Sequence, residues 1–221
     1  MQKLPTQYKT IILDMDGTLY LQPLVRICIA LSLALHYALH PTHLKELFAL
    51  QSYRRMRESG TYADSKDFAK RQFQALSEKY DLPISQIESI IHHWMQERPI
   101  KYIRRFRDKQ LITITERLRK NGTVVVLYSD YPVVQKAAAV GIAADYLFCA
   151  EDEAIACLKP DPKGLLRMLE TTATAPQDAL FVGDRYAKDG LCAKAAGVDY
   201  VILPKLKLMR RISRHSGLGK A

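Results

Sequence analysis

Five short runs of apolar, largely β-branched residues limit how this chain can fold: Thr10–Leu13, Thr123–Tyr128, Tyr146–Cys149, Ala179–Val182 and Tyr200–Leu203. Each is apolar throughout rather than alternating, the pattern of a strand covered on both faces within a parallel sheet. Segments of helical period fill the intervals between the last four. Asp108–Lys120 stops at Asn121-Gly122, Pro132–Val140 at Gly141 and Lys188–Ala196 at Gly197, each a C-terminal stop signal. Pro162–Glu170 opens with a proline, which suits a first helical turn. Strand alternating with helix predicts a doubly wound, Rossmann-like α/β domain with a parallel sheet.

The interval between the first and second runs breaks this rhythm. From Leu21 to about Arg107 only helical patterns occur: Leu24–Leu39, a helix capped by Thr42 and running to about Ser59, Asp64–Tyr80 and Pro83–Gln96. The expectation is an all-α cap spanning 21–107, inserted after the first strand. The α/β core is then discontinuous, 1–20 and 108–221, with hinges near Tyr20–Pro23 and Pro99–Lys109. A chain of 221 residues has enough length for one good core and such a second lobe. Leu24–Leu39 is the most membrane-like stretch, but Arg26, Ser32 and His36 interrupt it and it is shorter than a bilayer span. We read it as a buried helix.

Composition, 48% hydrophobic and 25% charged, excludes a disordered or fibrous chain. The N-terminus lacks the apolar core of a secretory signal, and Cys28, Cys149, Cys157 and Cys192 are scattered, so reduced thiols and a cytoplasmic location are expected. The net charge of +10 is uneven: 205–221 hold six Lys or Arg and no acid, and Arg98–Lys109 hold six against Asp108 alone. Such fields could attract nucleic acid, an anionic membrane or a phosphorylated substrate. The stretch 205–221 lacks the interleaved aromatic residues of a single-strand-binding surface, so neither of the first two partners is favoured.

Ligands of open α/β sheets bind beyond the carboxyl ends of the strands. The residues just past each run are therefore informative. After the first come Asp14-Met15-Asp16-Gly17-Thr18; after the second, Ser129-Asp130; a few residues beyond the third, Lys159-Pro160; after the fourth, Gly183-Asp184, with Asp189 five residues on. Carboxylates, a hydroxyl and a lysine thus converge on one rim. Several carboxylates in one cleft need a counter-cation, and hard oxygen ligands favour Mg²⁺. Asp14 and Asp184 are the natural ligands, with a backbone carbonyl at Asp16 as a third oxygen. Asp14 is placed to attack a phosphoryl group, and Asp16 to protonate the leaving oxygen and then deprotonate water. Lys159, Ser129 and Thr18 would hold the phosphoryl oxygens, while Asp189 would sit behind them and orient Lys159 or a metal-bound water.

DMDGT, Ser129, Lys159-Pro160 and GDRYAKD, in this order, resemble the four motifs of the haloacid-dehalogenase-like hydrolase superfamily. KPDPKGLL and AKAAGV resemble its phosphoglycolate-phosphatase-like branch, which carries a helical cap where the insert lies. The resemblance implies Asp14 as nucleophile, Asp16 as acid/base, Ser129, Asp130 and Lys159 around the phosphate, and Mg²⁺ on Asp14, Asp16 and Asp184. Members that break carbon–halogen bonds generally lack the second aspartate, so its presence favours a phosphatase acting on a small phosphorylated metabolite. A sugar-phosphate mutase or nucleotidase on the same core remains an alternative, as does a basic polyanion-binding protein with a vestigial core. Arg185 and Tyr186 depart from the small residues frequent in this branch.

Three further groups invite a functional reading and receive a plainer one. His36 and His40 lack the glutamate of a zinc helix and are read as packing or surface residues. Arg54, Arg55 and Arg57 are read as a solvated helix end, with a reach towards a substrate anion as the alternative. Trp94, Tyr102 and Phe106 are read as cap or hinge core.

Overall fold

The computed structural model describes residues 8–62 and 67–203. Five parallel strands, β1 (Thr10–Asp14), β2 (Val124–Ser129), β3 (Tyr146–Cys149), β4 (Ala179–Gly183) and β5 (Asp199–Ile202), form one sheet in the order β3-β2-β1-β4-β5. Nine helices accompany them among the described residues: α1 (Gln22–Leu39), α2 (Leu44–Ser59), α3 (Phe68–Tyr80), α4 (Ile84–Ile91), α5 (Arg98–Arg105), α6 (Lys109–Lys120), α7 (Val134–Val140), α8 (Lys163–Thr171) and α9 (Leu191–Ala195). The architecture is a Rossmann-like doubly wound core with an α-helical cap, α1–α5, following β1.

Register explains why the strand runs are apolar at every position. Leu13 lies opposite Leu127 on β2 and Val182 on β4. Ile11, Leu13, Val125, Leu127, Leu180 and Val182 join one core cluster, while their neighbours Ile12, Val126, Tyr128 and Phe181 join another on the opposite face. Both faces are covered, so both sets of side chains must be apolar. The same expectation fails at β3 and β5. These are edge strands, and Tyr146, Leu147, Tyr200 and Val201 are more than a third exposed.

The strand order matters for the site. After β1 the chain builds β2 and β3 on one side, then crosses to place β4 and β5 on the other. The crevice above β1 and β4 is the point where the winding reverses, the usual ligand position in this topology.

Three local expectations are corrected. Thr42 caps no helix: Pro41–His43 form a single 3₁₀ turn, and α2 starts at Leu44 behind His43 without a side-chain cap. The last cap helix does not stop near Gln96. A π-helical turn, His92–Glu97, joins α4 to α5, whose second residue is Pro99. The helical path therefore runs to Arg105. The return to the core is short and pairs with the outgoing chain: Leu21 N–H donates to the Phe106 carbonyl at 2.9 Å, and Asp108 N–H to the Leu19 carbonyl at 2.8 Å. Asp108 then caps α6 by accepting from the Gln110 and Leu111 N–H groups, each at 3.0 Å.

The third correction concerns α1, expected to be buried. It has a mean hydropathy of 1.4 and is, among the described residues, the helix apolar enough to cross a membrane by length and composition alone. Only Val25, Ile29 and Tyr37 are buried. Ile27, Leu31, Leu35 and Leu39, spaced four apart on another face, are 56–68% exposed. One stripe of α1 packs inward and the rest faces out. Asp64, the expected start of the third cap helix, and the basic stretch 205–221 lie outside the described residues.

The cap has its own apolar cluster, including Leu50, Tyr53, Leu76, Ile87, Ile91 and Trp94. Its firmest polar tie to the core is Arg57, 2% exposed, whose guanidinium donates to the Tyr53 hydroxyl, to the Asp130 carbonyl at 3.3 Å and to the Glu151 carboxylate. It also stacks over Tyr53, Phe68 and Tyr131. Arg57 is thus neither a solvated helix end nor a substrate ligand. It is a strut between cap and core. Removing a buried, paired charge strands its partners. Arg57→Ala should lower the unfolding free energy by about 3 kcal/mol in urea titrations. Arg55→Ala, on the exposed side of the same helix, should change it by less than about 0.5 kcal/mol.

Candidate active site

β1 delivers Asp14, its last residue, to the carboxyl edge of the sheet. The chain then turns sharply through Gly17, which holds φ of +104°. A Cβ at this position would collide with the Asp184 carboxylate, so the loop can approach β4 this closely only as glycine. Thr18, behind it, donates its hydroxyl to Asp14 Oδ2 at 2.9 Å.

Lys159 lies at the centre of the rim. Its side chain is buried, and Nζ donates to Asp14 Oδ1 at 2.5 Å and Asp189 Oδ1 at 2.7 Å. Its backbone N–H donates to Asp130 Oδ1 at 3.0 Å, and Lys188 Nζ donates to its carbonyl at 2.7 Å. Asp189 uses its second oxygen to accept from the Asp184 and Arg185 N–H groups at 3.1 and 3.0 Å. Asp189 therefore orients Lys159 and shapes the loop that carries Asp184. Arg185, the departure in this motif, lies with Nε 3.9 Å from Asp184 Oδ1 and donates to Glu58 of α2 at 2.8 Å, a second tie between core and cap.

Asp16 faces a different set of partners. Lys136 Nζ donates to both of its oxygens, at 2.7 and 2.8 Å, Ser129 Oγ donates to Oδ2 at 3.1 Å, and the Tyr20 hydroxyl donates to Oδ1. Ser129 in turn accepts from the Tyr131 N–H at 3.1 Å. Neither Lys136 nor Tyr20 is among the residues that the strand ends single out. A signal for Lys136 is nevertheless present: Val133, Lys136, Ala137 and Val140 follow the 3, 4, 7 spacing of one helical face, and all four are buried.

The electrostatics divide the two aspartates. Burial pushes the Asp14 carboxyl up to about 8, helped by the Asp189 charge and opposed by Lys159. Burial also opposes the charge on Lys159, but Asp14, Asp189 and Asp130 hold its ammonium well above the ordinary lysine value. For Asp16, burial acts upward, yet Lys136, Tyr20 and Ser129 together bring the carboxyl below its usual value.

The donor set suits a hard cation. Carboxylate oxygens of Asp14, Asp184 and Asp189, all buried residues, lie within 4.8 Å of one another. Opposite ligands of Mg²⁺ sit about 4.2 Å apart, so a small contraction would bring these oxygens into range. Asp16 commits its carboxylate to Lys136, Tyr20 and Ser129, so a ligand from that residue would be its backbone carbonyl. Asp189, expected behind the ligands, supplies the third carboxylate of this cluster.

Elsewhere, His36 and His40 stack with ring centroids 4.7 Å apart, and His36 meets Trp94 edge-on, as packing residues do. Arg54 and Arg55 are exposed on α2.

The raised Asp14 value makes cation binding depend on pH. Between the unfolded value of 3.8 and about 8, folded Asp14 holds a proton that the unfolded chain has released. Through this group the metal-free fold loses stability as pH rises across that window. A bound cation must displace the same proton. Saturating Mg²⁺ should therefore raise Tm more at about pH 8 than at about pH 5, read by thermal unfolding. An increment that is absent, or larger in acid, would contradict the assignment.

A sequence profile of haloacid dehalogenase-like hydrolases matches residues 8–197. No curated protein sequence matches the chain. Among solved structures, the fold is similar to that of a 2-haloacid dehalogenase from Pseudomonas syringae pv. Tomato DC3000, at 20% identity over 88% of this chain and 86% of that one, with a TM-score of 0.62. It is also similar to the putative HAD-hydrolase YfnB from Bacillus subtilis bound to magnesium, at 15% identity, 89% and 87% coverage and a TM-score of 0.56. A predicted phosphoglycolate phosphatase from Haemophilus somnus 129pt gives 16% identity, 91% coverage of each chain and a TM-score of 0.54. At these identities the likeness speaks for the fold alone.

Proposed function

The chain belongs to the haloacid dehalogenase-like hydrolase family, and we propose that within it this enzyme is a Mg²⁺-dependent phosphatase of small phosphorylated metabolites. The observation that carries the reading is Asp16: a second carboxylate, two residues from Asp14 and bonded to Ser129 and Lys136, stands ready for proton transfer. Breaking a phosphate ester calls for a proton on the leaving oxygen and another taken from water, whereas a departing halide needs none.

In this reading Asp14 forms a bond to phosphorus as the ester oxygen leaves, and Asp16 protonates that oxygen. Water then attacks the aspartyl-phosphate, Asp16 takes its proton, and the Asp14–phosphorus bond breaks to release inorganic phosphate. Lys136 favours the carboxylate form of Asp16, the form that accepts a proton from water. An arriving phosphate dianion acts in the opposite direction, raising the proton affinity of Asp16 for the first step. Lys159, Thr18 and Ser129 are the donors on the rim for the phosphoryl oxygens. A Mg²⁺ ion held by Asp14, Asp184 and the Asp16 carbonyl would neutralise the phosphate charge and hold Asp14 ionised. The four cysteines are unpaired thiols, in keeping with a cytoplasmic location.

An aryl phosphate assay tests the reading. With Mg²⁺ the protein should release the phenol and inorganic phosphate, and EDTA should abolish the release. Asp14→Asn should lower kcat by about a thousandfold or more. No halide should be freed from 2-haloacids. Halide release without phosphate release would overturn the proposal in favour of dehalogenation. Conversion of a sugar phosphate to its isomer without free phosphate would favour a mutase.

A further inference from the structure

The outer face of α1 takes no part in the chemistry at Asp14 and Asp16. This helix of 18 residues carries one charged side chain, Arg26, and no acid. Its inner side is engaged. Val25, Ile29 and Leu33 line a cavity beside Asp16, between the cap and the core, and Ser32 Oγ lies 3.1 Å from the Tyr102 hydroxyl of α5. Outward stand Ile27, Leu31, Leu35 and Leu39, all exposed, with the exposed Ala30, Ala34 and Ala38 beside them. The leucine stripe runs about 18 Å along the helix axis.

α5 brings cations to the edge of this stripe. Lys101 is exposed and holds Nζ 4.7 Å from the centroid of the Tyr102 ring, whose hydroxyl meets Ser32, so it stands alongside α1. Arg98, Arg104 and Arg105 are three or four residues from Lys101 and share its side of α5. Arg104 and Arg105 are exposed, and Arg98 leans over Trp94. The acids nearby are committed elsewhere. Glu97 meets His92 and His93 at 3.3 and 3.1 Å, Asp108 caps α6, and Glu58 is shared between Arg185 and Arg26. Neither α1 nor α5 contains an acid of its own.

We propose that this face docks on an anionic lipid surface, with α1 lying in the interface rather than crossing the bilayer. A spanning helix needs its whole circumference free, whereas Val25, Ile29 and Tyr37 are packed inside the protein. An apolar stripe bordered by Lys and Arg is the composition of an interfacial helix. The leucines enter the acyl boundary, while the α5 cations stay at headgroup level against the negative surface potential. The net charge of +10 adds attraction at longer range. A second copy of the chain is the competing occupant, and area and charge both disfavour it. At roughly 100 Å² per exposed side chain the stripe offers on the order of 400 Å², about half of what each partner gives to a stable dimer. A wider two-fold contact that took in α5 would set cations against cations with no acid between them. A lipid surface needs no matching shape and supplies the negative charge.

Vesicle co-sedimentation of the full chain tests the proposal. The protein should partition onto phosphatidylcholine vesicles containing about 30% phosphatidylglycerol at about 0.1 M salt, and about tenfold less onto phosphatidylcholine alone. Leu31→Gln/Leu35→Gln should lower partitioning about tenfold or more. Lys101→Gln/Arg105→Gln should lower it about twentyfold, at about fivefold per cation. All four side chains are exposed, so each variant should keep its Tm within about 2 °C of the parent. A parent protein that ignores anionic vesicles, or binds neutral ones equally, would overturn the proposal. Undiminished binding in the leucine variant would overturn it as well, moving the affinity to another basic surface. Light scattering separates the competing occupant: a dimer that the leucine variant splits, with vesicles left unbound, would replace lipid docking with self-association.

Discussion

One buried ammonium holds this site together. Asp14, Asp184 and Asp189 converge at the carboxyl edge of the sheet with oxygens within 4.8 Å of one another, and three such charges, shielded from water, repel. Lys159, itself 1% exposed, bridges two of them. Its own position is set by Asp130 from the loop after β2 and by Lys188 from the turn before α9. Two strand ends and two loops therefore depend on one side chain being charged and in place. A second cation beside the same carboxylates would complete the neutralisation, and the raised affinity of Asp14 for a proton expresses the same deficit.

The cap serves this arrangement from the other side. Arg57 reaches down to the carbonyl of Asp130, the residue that anchors Lys159, so the helical lobe and the carboxylate rim share a backbone unit. Glu58, its neighbour on α2, pairs with Arg185 beside Asp184. Asp16 stands between the two regions, with Ser129 on the rim side and the cavity on the other.

Much of this is legible in the chain. Runs of unbroken apolar residues mark β1, β2 and β4 because both faces of those strands are covered, and the residues just beyond them include Asp14, Ser129 and Asp184. The strand order is not legible, since local patterns carry no information on which strands pair. The same rule misjudges the edge strands β3 and β5. Lys136 and Arg57 escape it for one physical reason. Residue type alone assigns a charge to solvent, although each falls on the apolar face of its helix, Lys136 with Val133, Ala137 and Val140, and Arg57 with Ala49, Leu50 and Tyr53. A charge at a core position of a helix signals a partner, and here the partners are Asp16 and Glu151. The reading of α1 as buried fails in the opposite way: apolarity around much of the helix suggests burial, yet one stripe packs inward.

The central claim is that Asp14 carries the phosphoryl group between the two halves of the reaction. Acid quenching during turnover of an aryl phosphate, followed by mass spectrometry of the peptide containing Asp14, tests it most directly. The account predicts one added phosphoryl group on Asp14, absent in the Asp14→Asn protein. Steady hydrolysis with Asp14 unmodified, or with the phosphoryl group on another residue, would contradict it.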